Sequence, residues 1–209
     1  MGKAEVVIFD MYGVIMKDPV GGLLPFVKGV FPELGFDEVY SQWLIGNVGG
    51  LSSMDFFRNL GFAGDLRAVE KAYLDSLEID EAFYAAAARL KKRYRLALLS
   101  NDLSEWSRYL REIHGLDALL DAAVVSGEVG IKKPDAQIYK ILLNKLGSRP
   151  SDCIYVDDRK NNLDAAKSLG MDTVLFNNGR AFHDGGKGNA GYAGKMAGSF
   201  QELADMLLL

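Results

Sequence analysis

The chemically reactive side chains of this sequence follow its short apolar runs, at the points where those runs end. Four of the five runs end at, or lead to, such groups, which are Asp10, Ser100 with Asn101, Lys132 with Lys133, and Asp157 with Asp158. A single residue of these types after a strand is often only a turn or helix-capping residue. Four such positions in one chain instead predict a shared site.

The residue types in this set complement one another. Carboxylates held close together repel each other and resist ionisation unless a cation lies among them. Carboxylate oxygens are ligands that Mg²⁺ prefers, usually together with water and a phosphate oxygen. Asp10 could attack phosphorus as a nucleophile, while Lys133 and the Ser100 hydroxyl hold the remaining anionic oxygens. The set therefore predicts phosphoryl chemistry with a divalent cation.

The apolar runs themselves predict the scaffold that brings these groups together. The five runs, at 6–9, 96–99, 122–125, 154–156 and 173–176, are mostly continuous rather than alternating. Such runs are typical of parallel strands that are buried on both faces. Helical patterns lie between them, so the chain is predicted to be an α/β protein with a doubly wound parallel sheet. Ligands of such sheets bind beyond the carboxyl ends of the strands, where the reactive groups follow.

Two segments depart from the alternation of strands and helices. Residues 16–85 carry helical patterns over a far greater length than a crossover between parallel strands needs. They are predicted to form an inserted helical cap, with residues 1–15 and 86–209 forming the core. Residues 179–198 hold seven glycines and few large apolar groups, so they are predicted to be a surface loop.

Composition limits the partners and the compartment. The net charge of −4 gives no basic surface signal, so a nucleic-acid partner is not expected. Cys153 is the only cysteine, which excludes an internal disulfide. The sequence shows neither a signal-peptide pattern nor an apolar stretch that could span a bilayer. We therefore expect a cytoplasmic protein without a membrane partner.

The segments at the strand ends resemble the motifs of the haloacid dehalogenase-like (HAD) hydrolases, in their capped subfamily I form. "FDMYGV" resembles the first motif of that family, "LLSND" the second, "IKKPDAQIY" the third and "YVDD" the fourth. The order and spacing cover the whole chain, and the insertion lies where the family's cap lies. The resemblance implies a Rossmann-like core, Mg²⁺ as cofactor, and hydrolysis of a small phosphomonoester through an aspartyl phosphate.

The resemblance also implies roles for individual residues. Asp10 would be the nucleophile, Ser100 and Asn101 would bind the transferred group, and Lys133 would neutralise the charge on both. The implied metal ligands are Asp10, the backbone carbonyl of Tyr12, and Asp157, with Asp158 in support.

Tyr12 departs from the pattern of the family's phosphatases, which usually carry a second aspartate at this position. That aspartate is a general acid and base, a function worth about 10²–10⁴ in rate. A tyrosine, with an ordinary pKa of about 10, can donate a proton but is a poor base at neutral pH. Tyr12 is therefore a candidate catalytic residue of weakened function. The form "D-x-Y-G" instead resembles the 2-haloacid dehalogenases, in which the aspartate attacks carbon and no metal is used.

Three functions are consistent with these observations. We favour a Mg²⁺-dependent phosphatase acting on a small molecule, because paired acids such as Asp157 and Asp158 would repel each other without a cation. A metal-independent 2-haloacid dehalogenase is the enzymatic alternative, but it needs a cationic cradle for which the insertion offers only Arg58 and Arg67. The third possibility is a catalytically weak member that binds a phosphorylated ligand.

Overall fold

A computed structural model describes residues 4–16, 19–179 and 189–209. These residues form one sheet of six strands, in which every neighbouring pair is parallel. The strands are β1 (Val6–Phe9), β2 (Arg95–Ser100), β3 (Ala122–Val125), β4 (Cys153–Asp157), β5 (Asp172–Phe176) and β6 (Lys195–Ala197). Their order across the sheet is β3-β2-β1-β4-β5-β6. The order reverses between β1 and β4, and such a switch point is where ligands bind in open α/β sheets.

Helices cover both faces of this sheet. The helices of the described residues are α1 (Pro19–Lys28), α2 (Phe36–Gly46), α3 (Ser53–Asn59), α4 (Leu66–Asp75), α5 (Ala82–Leu90), α6 (Ser104–Ile113), α7 (Ser126–Val129), α8 (Ala136–Leu146), α9 (Lys160–Ser168) and α10 (Phe200–Leu208). Side chains of α5, α6 and α10 pack on one face, and those of α8 and α9 pack on the other. None of these helices has the length and the apolar composition that crossing a membrane requires.

Strand β1 shows why the apolar runs lack alternation. Val7 and Phe9 point into the core cluster on one face of the sheet, whereas Val6 and Ile8 point into the cluster on the other. Because helices cover both faces, every position of the strand is buried. The predicted α/β fold with a parallel sheet is confirmed, and all five predicted strands are present.

The insertion between β1 and β2 consists of helices α1 to α4 and the start of α5. Helices α1 to α4 pack against one another in sequence, and α4 also contacts α6. Helix α5, which begins at Ala82, packs against α10 instead, with the rings of Phe83 and Phe200 5.4 Å apart. The assignment of residues 16–85 as a cap stays a prediction. Helix α5 packs against the core rather than against helices α1 to α4.

Strand β6 corrects the prediction of a surface loop over residues 179–198. Lys195–Ala197 pairs in parallel with β5 at the edge of the sheet. The strand has three residues, and Lys195 and Met196 are exposed, so no buried apolar run marks it in the sequence. The part of this segment at 180–188 lies outside the described residues.

Candidate active site

The parallel sheet brings the reactive groups to a single edge. Asp10 follows β1, Ser100 ends β2, and Asp157 ends β4. The register places these strand ends side by side, because Phe9 pairs with both Leu98 and Val156. Oxygen atoms of Asp10, Asp157 and Asp158 lie within 4.8 Å of one another, and all three residues are buried.

Lys133 joins two of the three carboxylates. Its side chain is 1% exposed, and its Nζ lies 2.7 Å from Asp10 Oδ1 and 3.0 Å from Asp157 Oδ2. Burial alone would lower the pKa of Lys133, but Asp10 and Asp157 together raise this pKa above its ordinary value. The lysine therefore stays protonated and supplies a fixed positive charge between the two acids.

One oxygen of the Asp10 carboxyl is fixed by hydrogen bonds, and burial shifts the pKa of this carboxyl. Its Oδ1 accepts a hydrogen bond of 2.7 Å from the Met11 backbone N–H in addition to the contact with Lys133. Burial, opposed by Lys133 and reinforced by Asp157, raises the pKa of Asp10 to about 7. A cation beside the Asp10 carboxyl would favour the ionised, nucleophilic form of this carboxyl.

Asp157 is saturated with hydrogen-bond donors. Its two oxygens accept from Lys133 Nζ, the Tyr155 hydroxyl, the Arg159 backbone N–H and Asn162 Nδ2. Burial raises the pKa of Asp157, but Lys133 and these donors outweigh it and hold the pKa below its ordinary value. Asp157 therefore stays ionised and anchors the surrounding side chains.

Asp158 has the opposite environment. Its Oδ1 is buried without a hydrogen-bond partner within the described part of the chain. Burial and the nearby charges of Asp157 and Asp10 raise the pKa of Asp158 well above its ordinary value. An available oxygen on a carboxyl that resists ionisation is the group that gains most from a neighbouring cation.

Gly13 makes room for Asp158. Its φ of +78° lies in the left-handed region, and a Cβ at this position would lie 2.1 Å from Asp158 Oδ2. The turn that contains it is closed by the Gly13 N–H, which donates to the Met16 carbonyl at 2.7 Å. A side chain at position 13 would therefore displace the Asp158 carboxyl.

Ser100 and Asn101 differ in their availability to a ligand. The Ser100 hydroxyl is buried and lacks a hydrogen-bond partner among the described residues. Asn101 instead accepts from the Lys133 N–H at 2.8 Å and donates to the Lys133 carbonyl at 3.0 Å. Asn101 thus fixes the backbone that carries the Lys133 side chain. Its predicted binding of the transferred group stays a prediction.

Residues 4–170 match the model of the haloacid dehalogenase-like hydrolases. The chain belongs to this family. It is therefore a hydrolase, and the resemblance of its four motifs is confirmed at the level of the family.

Three relatives of known name show the range of this family. Flavin mononucleotide hydrolase 1 of Arabidopsis thaliana is 26% identical over 186 residues, which are 84% of this chain and 74% of that protein. Phosphoglycolate phosphatase of Aquifex aeolicus is 27% identical over 183 residues, 82% of this chain and 84% of that protein. Bifunctional epoxide hydrolase 2 of Rattus norvegicus is 35% identical over 200 residues, 82% of this chain. The match spans only 36% of the rat protein.

Two solved structures share the fold. A HAD family enzyme from Bacteroides thetaiotaomicron, in complex with magnesium and inorganic phosphate, has a TM-score of 0.68 at 16% identity, covering 87% of this chain and 98% of that one. L-2-haloacid dehalogenase from Xanthobacter autotrophicus has a TM-score of 0.70 at 16% identity, covering 98% of each chain. At these identities the likeness establishes the fold and leaves the reaction open.

Tyr12 is the residue for which the motif resemblance predicts a second acid in the phosphatases, and its hydroxyl is engaged elsewhere. It donates a hydrogen bond of 2.8 Å to Asp102 Oδ2. Burial, reinforced by the neighbouring Asp102, raises the pKa of Tyr12 well above its ordinary value. Burial likewise raises the pKa of Asp102, although the Tyr12 hydrogen bond opposes this. The sequence motifs did not single out Asp102, although it directly follows Asn101 in "LLSND" at the same strand end.

Asp10 and Asp158 open into a cavity of about 240 Å³ between the sheet edge and α2. The residues that line it from α2 and its end are Tyr40, Trp43, Leu44 and Asn47. Lys132, Lys133 and Arg159 line it from the core, together with Asp10 and Asp158. Arg58 and Arg67 are absent from this lining, and Arg58 is an exposed side chain paired with Asp55.

The donor set of the site fits a hard divalent cation. Carboxylate oxygens of Asp10, Asp157 and Asp158 lie close enough to share one ion. Oxygen donors of this kind suit Mg²⁺, which dehydrates reluctantly and is usually bound by one or two carboxylates. The residues are therefore compatible with the metal that the sequence predicts.

Proposed function

We propose that this chain hydrolyses a small phosphomonoester in the presence of Mg²⁺, with Asp10 as nucleophile. The observation that carries this proposal is the buried cluster of Asp10, Asp157 and Asp158 at one sheet edge, with Lys133 bonded to two of them. Three buried carboxylates carry more negative charge than one lysine offsets. With all three carboxylates ionised, a divalent cation brings the sum of these charges to zero, so a phosphate meets no net negative charge from this cluster.

Asp10, Asp158 and the Tyr12 backbone carbonyl would hold the ion. Asp158 has an oxygen available, whereas the oxygens of Asp157 are occupied by protein donors. We therefore propose the reverse of the predicted order, in which Asp157 was the ligand and Asp158 the support. The ion supplies charge neutralisation that lets a carboxylate approach an anionic phosphate.

Hydrolysis proceeds in two displacements at phosphorus. Asp10 Oδ2 forms a bond to phosphorus while the bond from phosphorus to the alcohol oxygen breaks, and the departing alkoxide takes a proton from water. Ser100 and Lys133 donate hydrogen bonds to the phosphoryl oxygens. A water molecule then attacks the aspartyl phosphate, the bond from phosphorus to Asp10 breaks, and the protons of the water leave with the phosphate. Covalent catalysis of this type separates one difficult step into two.

Helices α1 to α4 are proposed to act as the cap, and the substrate is proposed to be a small molecule. Helix α2 already supplies Tyr40, Trp43 and Leu44 to the cavity that contains Asp10. The alcohol part of the substrate would therefore contact α2, while the phosphate lies against the strand ends. A closed cap of this kind excludes water and selects the substrate.

The proposal is tested with a panel of phosphomonoesters, beginning with p-nitrophenyl phosphate, with Mg²⁺ and with chelator. We expect phosphate release that depends on Mg²⁺ and disappears in Asp10→Asn. Dechlorination of 2-chloropropionate in chelator, without phosphatase activity, would establish the dehalogenase instead. Absence of both activities, together with a rise in melting temperature on adding phosphate and Mg²⁺, would indicate a binding protein.

A further inference from the structure

Asn47 is a buried polar residue for which the protein provides no partner. It follows the last turn of α2 and is fully buried. Neither its Nδ2 nor its Oδ1 has a hydrogen-bond partner in the part of the chain that the structure describes. The residue lines the same cavity as Asp10 and Tyr12.

Such an amide is costly to the fold. Buried polar side chains are nearly always hydrogen-bonded, and an unsatisfied buried donor or acceptor is unfavourable. The end of the helix does not require asparagine either, because φ of −72° at Asn47 is accessible to any residue. The helix-ending hydrogen bond uses the backbone N–H, which donates to the Trp43 carbonyl at 2.9 Å. A contribution to the stability of the fold therefore does not explain the presence of the Asn47 side chain.

Two close backbone contacts hold Asn47 against the core. A Cβ on Gly46 would lie 3.0 Å from the Leu103 side chain. A Cβ on Gly49, whose φ is +74°, would lie 2.8 Å from the Gly127 carbonyl oxygen. These glycines let the turn after α2 approach Leu103, which follows β2, and helix α7, which follows β3. The amide between them is thus fixed next to the reaction centre.

We infer that the Asn47 amide binds a hydroxyl group on the alcohol part of the substrate, so that the substrates are phosphomonoesters of small hydroxylated alcohols. This inference rests on the proposed phosphatase function. An amide offers both donors and an acceptor, and a hydroxyl satisfies both from a single rotatable group. A carboxylate would leave the acceptor of the amide unpaired, and an ammonium group would leave its donors unpaired.

The remainder of the cavity agrees with this assignment. Tyr40 and Trp43 are stacked, with ring centroids 5.6 Å apart and an angle of 22° between the ring planes. Aromatic rings give the C–H faces of a polyol an apolar surface, while Asn47 takes a hydroxyl. The cavity of about 240 Å³ must also contain the phosphate, so only part of this volume is left for the alcohol.

Two phosphate esters that share a three-carbon chain test the inference. Glycerol phosphate carries two hydroxyls that propyl phosphate lacks. We expect the wild-type protein to prefer glycerol phosphate in kcat/KM. Asn47→Leu should lower that value about 10- to 100-fold while changing the value for propyl phosphate less than about threefold. The melting temperature should not fall, because leucine of similar size removes an unsatisfied amide.

Asn59→Leu is the matched control, because Asn59 is exposed on α3 and its amide bonds to Gln42. It should leave both esters unaffected. Equal losses on both esters in Asn47→Leu, or a lower melting temperature, would assign Asn47 to the fold and overturn the inference. No preference for glycerol phosphate in the wild type would also overturn it.

A binding measurement separates this inference from the proposed function. Dissociation constants for both esters are measured by calorimetry with Mg²⁺ in Asp10→Asn, with and without Asn47→Leu. Tighter binding of glycerol phosphate that is lost with Asn47→Leu supports the role of Asn47 even where the wild type shows no turnover. Equal binding of both esters contradicts it, whereas failed turnover alone contradicts only the proposed function.

Discussion

The Tyr12 hydroxyl donates a hydrogen bond to Asp102, and both side chains are buried. The residue at the position of the missing acid is therefore held by the core and directed away from a role at the leaving group. Burial raises the pKa of Tyr12 well above its ordinary value, so its hydroxyl stays protonated near neutral pH. Tyr12 thus lines the cavity and donates a hydrogen bond to Asp102.

Tyr12→Phe should leave the phosphatase kcat within about tenfold of the wild type, because the phenol does not protonate the leaving group. Loss of a working general acid would instead cost about 10²–10⁴. The free energy of unfolding should fall by about 1–3 kcal/mol, since Asp102 loses a buried donor. Activity is measured with p-nitrophenyl phosphate and stability by urea denaturation. A large fall in kcat with unchanged stability would restore Tyr12 as the acid.

Tyr12→Asp should raise the phosphatase activity, because a carboxyl at this position can protonate the leaving oxygen and then activate water. The gain should be greatest for poor leaving groups, which depend most on protonation. The rates for propyl phosphate and p-nitrophenyl phosphate are compared between the variant and the wild type. Asp102→Asn in the same chain removes the neighbouring carboxyl and controls for its effect on the new acid. Unchanged or lower turnover in folded protein would contradict this explanation.

Gly13→Ala should weaken Mg²⁺ binding at least about tenfold, because its Cβ would displace the Asp158 carboxyl. Gly64→Ala is the control, since Gly64 has a φ of +79° and a Cβ there would have nothing within 4 Å. Both variants incur similar backbone strain, but only the first disturbs the acids. Calorimetric titration with Mg²⁺ measures the difference. Equal affinities in the two variants would remove Gly13 from the metal site.

The raised pKa of Asp10 predicts a pH-dependent stability of the metal-free protein. Between its ordinary pKa of 3.8 and about 7, the folded state binds a proton that the unfolded chain has lost. The free energy of unfolding therefore falls as pH rises through this interval. Asp10→Asn removes this contribution. In chelator, the free energy of unfolding of the variant should therefore fall less steeply with pH than that of the wild type, and the two falls should differ by at most about 4 kcal/mol over the interval. Parallel curves from urea denaturation at several pH values would contradict the assignment.

The sequence predicted the residues that local chemistry determines and missed those that depend on packing across the sheet. The ends of β1, β2 and β4 were predictable because carboxyl ends of parallel strands meet at one edge. Asn47 was not, because its place depends on how the turn after α2 packs against Leu103 after β2 and helix α7 after β3. Strand β6 was missed because an exposed edge strand carries no buried run. The cytoplasmic location and the lack of a nucleic-acid partner stay predictions.

Asp157 and Asp158 have different surroundings, so replacing each by asparagine should affect a different property of the protein. Asp158→Asn should weaken Mg²⁺ binding about tenfold or more without lowering the melting temperature in chelator, because it removes a buried carboxyl with an unpartnered oxygen. Asp157→Asn should lower the free energy of unfolding by about 3 kcal/mol, because Lys133 loses a buried partner. Calorimetry with Mg²⁺ and urea denaturation in chelator measure both. If Asp157→Asn instead loses the metal and keeps its stability, Asp157 is the ligand and the order proposed above is wrong.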